Sequence, residues 1–171
     1  MFEEVGKLAK SMMEIKYTPI GIVHSPFKET KGTPKRPNAS LGTQATVEIY
    51  PEYQEGLQDL DGFSHIILLC HFHLSKFSSL KVKPYMDDRL HGVFATRSPS
   101  RPNPIGLSVV RLIKVEKNIL EIQNLEIIDG TPVLDIKPYV PEFTTNDGIK
   151  IGWLEKNVHK LQQSKDDGRF S

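Results

Sequence analysis

Three stretches of this 171-residue chain combine side chains that could do chemistry. The first is RSPSRPNPIGLS, Arg97 to Ser108, where three prolines punctuate two arginines and an asparagine. Pro99, Pro102 and Pro104 each fix their own φ and push the preceding residue toward extended backbone, so the loop is stiff. A stiff loop that presents Arg97, Arg101 and Asn103 loses little entropy on binding a ligand, as a preorganised site requires. The same stiffness would serve equally well to brace a crossover with its arginines in solvent. The second group is His65, His71 and His73, which share parity and would face one way on a continuous strand; His-x-His is a familiar metal-ligand spacing. No carboxylate of suitable local spacing accompanies them, so wall-lining histidines are favoured over a metal site. The third stretch is DGTPVLDIKPY. Asp129-Gly130 makes a turn, after which Asp135, Lys137 and Tyr139 share one strand face and Leu134, Ile136 and Val140 the other. An acid, a base and a phenol in a row can order a substrate or move a proton. Asp135 and Lys137 can equally be an exposed ion pair of small worth.

Composition narrows the partners. The basic stretch KETKGTPKRPNAS sets Lys28, Lys31, Lys35 and Arg36 against Glu29, and reads as a solvated loop or as a phosphate contact. Net charge is +1, so any polyanion must be met by such a local patch and not by a global field. Neither Gly-x-Gly-x-x-Gly nor a phosphate-loop lysine motif occurs, which leaves a Rossmann-type nucleotide site unsupported. Apolar residues make up 38% and charged residues 25%, near globular averages, and the longest apolar run, Ile66 to Cys70, is far below a membrane span. Cys70 is the single cysteine, which excludes an internal disulfide and fits a reduced, cytoplasmic compartment. The opening MFEEVGKLAKSMMEIK lacks the apolar core of a secretory signal.

The elements that must position these groups are mostly strands. YTPIGIVHSPF reads as a strand with Ile20, Ile22 and His24 on one face, and ATVEIYPEY as another, stopped by Pro51. QEGLQDLDGF supplies one or two helical turns closed by Gly62, and SHIILLCHFHL is a strand covered on both faces. From Ile105 to Val140 the chain is rich in Val, Ile and Leu and is broken at Lys117-Asn118 and Asp129-Gly130, which predicts a three-strand antiparallel meander. GWLEKNVHKLQQ, with Trp153, Leu154, Val158 and Leu161 at helical spacing, predicts a C-terminal amphipathic helix. The expected fold is mainly β: one small antiparallel or mixed β-barrel domain over residues 17–163, with that C-terminal helix. Residues 1–16 are expected to form a leader or short helix, and residues 164–171 a mobile tail.

The blocks IGIVHSPF, FSHIILLCHFH, GVFATRSPSRPNPIGLSVV and DGTPVLDIKPY, in this order, resemble the TsaA-like family that includes TrmO. The resemblance runs from Tyr17 to Val140. It implies a β-barrel that works as a homodimer and binds S-adenosylmethionine without a Rossmann sheet. The implied reaction is N6-methylation of threonylcarbamoyladenosine at tRNA position 37, beside the anticodon of a threonine tRNA. Carried over by position, cofactor contacts fall on Pro34, Lys35 and Arg36, on His73 and Leu74, on Arg97 and Leu107, and on Asp129, Gly130, Thr131 and Pro132. Lys31 and Arg101 are left to meet RNA, Arg101 as a free cation on the stiff loop. The chain ends soon after the barrel, where the bacterial type carries a further domain, so its tRNA-binding surface is expected to differ.

The acceptor nitrogen of such a base is conjugated to a carbonyl, and losing its proton lowers the barrier to methyl transfer. Asp135 is the expected base, with Lys137 or Tyr139 orienting the modified base. No metal, membrane or DNA enters this reading. Two other classes compete: a non-catalytic RNA- or nucleotide-binding barrel built on the same basic loop and arginines, and a histidine-dependent metal hydrolase.

Overall fold

In several segments the apolar side chains recur at every second residue, and there the computed structural model, which describes residues 14–29, 42–143 and 148–157, has strands. They are β1 (Gly21–His24), β2 (Gln44–Ile49), β3 (His65–His71), β4 (Lys81–Val82), β5 (His91–Gly92), β6 (Ile105–Glu116), β7 (Ile119–Gln123) and β8 (Pro132–Pro138). Six of them close into an antiparallel barrel in the order β1-β2-β7-β6-β3-β8, and β4 and β5 pair as a separate ribbon. The predicted barrel is therefore observed. Closure leaves these six strands no open edge within the barrel.

A closed barrel has a single interior, and one parity of each strand fills it. Val23, Val47, Ile49, Ile66, Leu68, Cys70, Val110, Leu120, Ile122 and Val133 are buried there. β3 is not covered on both faces as expected: Ile66, Leu68 and Cys70 point inward, while His65, Ile67, Leu69 and His71 are only half-buried outside. On β1 the inward positions are Gly21 and Val23, so Ile22 and His24 point outward, and His24 meets Glu48 at 3.0 Å. The helical turns after β2 are two short 3-10 segments, Pro51–Leu57 and Leu60–Gly62, the first of which adds Leu57 to the core.

The predicted meander holds only for its first two strands. β6 and β7 form a hairpin across Lys117-Asn118, with Lys117 at φ 56 and the Asn118 amide donating to the Ile49 carbonyl at 2.8 Å. β8 does not follow β7 but lies between β3 and β1. The reason is the stretch from Asn124 to Thr131, whose composition suits a strand. It instead crosses the barrel end, with Asn124 turned at φ 66 and Leu125 and Ile127 driven into the core. Of the predicted C-terminal helix, the described part is a 3-10 turn, Gly152–Leu154, tied down by the Trp153 indole, which donates to the Ala95 carbonyl at 2.8 Å. Residues 158–163, the first thirteen residues and the expected tail lie outside the described residues. No helix among the described residues is long and apolar enough to cross a membrane.

Two glycines are required by close approach. A Cβ on Gly21 would stand 2.3 Å from the Glu48 carbonyl oxygen, and one on Gly106 the same distance from the tip of the Phe72 ring. A ring can turn aside, whereas a carbonyl within the sheet cannot. Gly106→Ala is expected to cost about 1–3 kcal/mol, and Gly21→Ala more, in chemical denaturation. Equal losses would mean that the Phe72 ring is held as firmly as the backbone.

Candidate functional site

Antiparallel register decides which of the carried-over residues meet. Cys70 lies between Gly106 on β6 and Val133 on β8, and the next pair outward on β3 and β6 is His71 with Ile105. The end of β3 and the starts of β6 and β8 thus form one rim. Leu107, opposite Leu69, is on its outer side, with its side chain half exposed; His73 and Leu74 follow β3 directly, and the turn from Asp129 to Pro132 leads into β8. The stiff loop lands on the same rim, where the Phe72 N–H donates to the Pro104 carbonyl at 2.7 Å. Pro34, Lys35, Arg36 and Lys31 lie outside the described residues.

The Asp129 turn is built on β1. One Asp129 carboxylate oxygen accepts from the Ser25 N–H at 2.9 Å and the other pairs with the Lys28 ammonium at 2.8 Å. Lys28 first, and the Ser25 N–H second, hold this carboxyl below its ordinary range. Gly130 takes φ +75, which suits glycine, and nothing stands within 4 Å of where its side chain would be. Beside the turn is an open cavity of about 650 Å³, lined by His24, Ser25, Lys28, Gln44, Glu121 and Asp129 among others; of the carried-over residues it touches Asp129 alone.

The stiff loop is braced from within. Ser98 and Ser100 are buried, the Ser75 hydroxyl donates to the Pro99 carbonyl at 3.0 Å, and the Ser79 N–H donates to the Ser100 carbonyl at 3.1 Å. Arg101 is not the free cation expected of it. Its Nη1 donates to the Thr96 and Ser98 carbonyls at 3.2 and 3.3 Å, so the side chain folds back and helps to hold the loop. Arg97 stays exposed.

One group on the crossing from β7 to β8 escapes the sequence reading. Glu126, flanked by the core residues Leu125 and Ile127, is partly buried, and the fully buried Ser108 hydroxyl lies 3.0 and 2.9 Å from its two oxygens. Burial pushes its carboxyl up to about 7, against the opposing pull of Ser108, its own backbone and Arg97. Cys70 is pushed up to about 12, first by burial and then by the Glu126 charge, so its thiol is inert. Burial, with His71 behind it, lowers His73, favouring neutral imidazole. The available signal for Glu126 was a charge between two core aliphatics in a run that reads as strand.

Asp135 and Lys137 are together on the outer face of β8, with Nζ to Oδ2 at 2.7 Å, and both are substantially exposed. They point outward although Val133 points inward, because β8 bulges at Leu134: Leu69 faces Asp135 and Cys70 faces Val133. Tyr139 lies farther along, its ring edge-on to His65 at 6.4 Å. His65 and His71 stand at opposite ends of β3, six residues or roughly 20 Å apart, too far to share one ion. Among the described residues, no three of His, Cys, Asp and Glu are grouped to hold a metal.

Glu126 makes stability depend on pH. Its folded value lies above the unfolded one, so its contribution is fully present below about 4.5 and is lost as pH rises through about 7. Glu126→Gln removes the charge, and its stability relative to wild type is expected to improve by about 3 kcal/mol between pH 4 and pH 8. Denaturant melts of both proteins at the two pH values measure this; a pH-independent difference would mean that the carboxyl titrates alike folded and unfolded.

The family model of the tRNA-methyltransferase O N-terminal domain matches residues 22–145. A probable S-adenosyl-L-methionine-binding protein of Pyrococcus abyssi is 60% identical over 154 residues, covering 90% of this chain and 84% of that one. A tRNA (adenine(37)-N6)-methyltransferase of Homo sapiens is 37% identical over 153 residues, covering 85% of this chain and 35% of that one. The crystal structure of TrmO from Pseudomonas aeruginosa superposes with a TM-score of 0.69 at 37% identity, over 82% of this chain and 63% of that chain. The chain therefore spans just under two thirds of that solved protein and about a third of the human one.

Proposed function

The chain belongs to the family of the tRNA-methyltransferase O N-terminal domain, and on that footing we propose that it is an S-adenosylmethionine-dependent tRNA methyltransferase acting on N6 of adenine 37. Its acceptor in this reading is threonylcarbamoyladenosine, next to the anticodon of a threonine tRNA. The observation that carries the proposal is convergence: the residues after β3, the landing of the stiff loop and the turn before β8 are distant in sequence and share one rim.

The rim suits such a cofactor chemically. Arg97 offers an exposed cation for a carboxylate, Leu107 a half-exposed apolar surface for a base, and the bare Gly130 open space beside turn backbone. Bound there, S-adenosylmethionine would supply an electrophilic methyl group on a sulfonium. Holding the acceptor nitrogen in line with that methyl is the main task of the rim, since alignment alone can remove much of the barrier. Asp135, in register with Leu69 and through it with Leu107, takes the acceptor proton. Lys137 steers its carboxylate, and Tyr139 orients the base.

A homodimer is part of the same reading. What supports it is the outer face of β6 and β3, where Ile105 and Leu107 are exposed beside half-buried Ile67 and Leu69. A cytoplasmic setting, which the lone cysteine fits, belongs to this proposal as well.

Calorimetric titration with S-adenosylmethionine, with ATP as control, tests the cofactor. Saturable binding that ATP does not mimic, weakened about tenfold or more by Arg97→Ala, is expected, since a charge-assisted contact contributes about 1.5–3 kcal/mol. Labelled methyl groups should then appear in tRNA, and Asp135→Asn should lower turnover by about 10²-fold with cofactor binding intact. Binding without transfer would favour an RNA- or nucleotide-binding module, and full turnover by the Asn variant would remove Asp135 from the proton step.

A further inference from the structure

One side chain from beyond the last barrel strand reaches the root of the stiff loop. Trp153 donates its indole N–H to the Ala95 carbonyl at 2.8 Å, across 58 residues of sequence. Ala95 ends a 3-10 turn, Val93–Ala95, two residues before Arg97. The carbonyls on either side of Arg97, those of Thr96 and Ser98, are held by the Arg101 guanidinium, and the Thr96 hydroxyl donates back to the Val93 carbonyl at 2.8 Å. Of these bonds, that of Trp153 alone comes from outside residues 93–101. Val93 is fully buried, whereas Phe94 and Ala95 are exposed, so Trp153 grips the root where packing does not.

The indole is itself aimed. Its ring lies against the His91 imidazole, with centroids 4.5 Å apart and planes tilted by 32°. His91 Nε2 is 3.2 Å from Asp87 Oδ2, and the Arg89 guanidinium donates to that same oxygen at 3.1 Å. The Asp87 and His91 side chains are largely buried, while the bond to Ala95 is exposed. Water can serve an exposed N–H and an exposed carbonyl, so joining them adds little to overall stability. What the bond fixes is direction: a planar ring with a single N–H, held by its face, sets where the Ala95 carbonyl lies.

We propose that Trp153 is a positioning residue for Arg97: by holding the Ala95 carbonyl, it sets the direction in which the stiff loop presents the guanidinium to the cofactor. This role rests on the reading of Arg97 as a cofactor contact. The order of support runs from Arg89 and Asp87 through His91 to Trp153, and from there to the loop. A segment outside the barrel thereby becomes part of the cofactor site without touching the ligand.

Two measurements on the full chain separate this role from the cofactor reading. Trp153→Phe keeps a ring on His91 and removes the N–H. In calorimetric titration with S-adenosylmethionine it should bind about two- to tenfold more weakly than wild type, the worth of one neutral hydrogen bond. In an Arg97→Ala background the same substitution should cost nothing further, because its effect passes through the guanidinium. A loss of equal size in both backgrounds overturns the proposal, and so does a Phe variant that binds as tightly as wild type, whatever its melting temperature. The second measurement needs no ligand. With nitrogen-15 arginine, the Arg97 amide is assigned by its loss in Arg97→Ala, and its heteronuclear NOE reports fast backbone motion. That NOE should fall in Trp153→Phe while the NOE of Arg111, within β6, stays as in wild type. An unchanged Arg97 value overturns the proposal. If wild type binds no S-adenosylmethionine while the Arg97 NOE still falls, the cofactor reading fails and the hold of Trp153 on the loop stands.

Discussion

Pairing of β3 along both its edges is the constraint on which the rest of this structure depends. It is paired with β6 over seven residues on one side and with β8 over five on the other, so two otherwise independent parts of the chain take their positions from it. A slip of one residue in either pairing would turn Ile66, Leu68 and Cys70 against outward partners. The register is locked at the rim end, where the Phe72 ring covers the bare Cα of Gly106 and the Phe72 N–H reaches Pro104. The glycine and last proline of the stiff loop therefore serve packing as well as rigidity.

The bulge at Leu134 is the second device. In VLDIK, strict alternation would put Val133, Asp135 and Lys137 on one face, and the barrel could not take all three inward. One extra residue lets Val133 stay in the core while the acid and the lysine leave it. Charges elsewhere are managed by partners. Asp129 is held below its usual range by Lys28 and Ser25, and Asp87 by Arg89, with His91 also in reach at 3.2 Å. Glu126 is treated differently, being held by a hydroxyl and shifted the other way.

Much of the barrel was legible from pattern. Alternating aliphatics marked β2, β6 and β7, and Lys117-Asn118 marked their hairpin, because local turn chemistry and period two agree there. The neighbours of β8 were not legible. Leu125 and Ile127 have strand composition and strand parity, and what diverts them is a tertiary demand, the open barrel end that needs a plug. The same blindness hid Glu126, since only the path of that plug brings it to Ser108. Arg101 could be seen as a loop arginine but not as one bonded to its own loop, because the folding back depends on where the Thr96 and Ser98 carbonyls point.

The position of β8 also carries a kinetic consequence. The β6–β7 hairpin joins neighbours in sequence and can form early, whereas the seam between β1 and β8 joins Gly21 to Val133, more than a hundred residues away. Such long-range pairings bear the largest loop-closure cost and come late in folding. The turn from Asp129 to Pro132 sits on that seam, bonded to Val23 and Ser25. A chain caught before closure would have most of its sheet and half of its rim, so completion of the rim coincides with the last step of assembly.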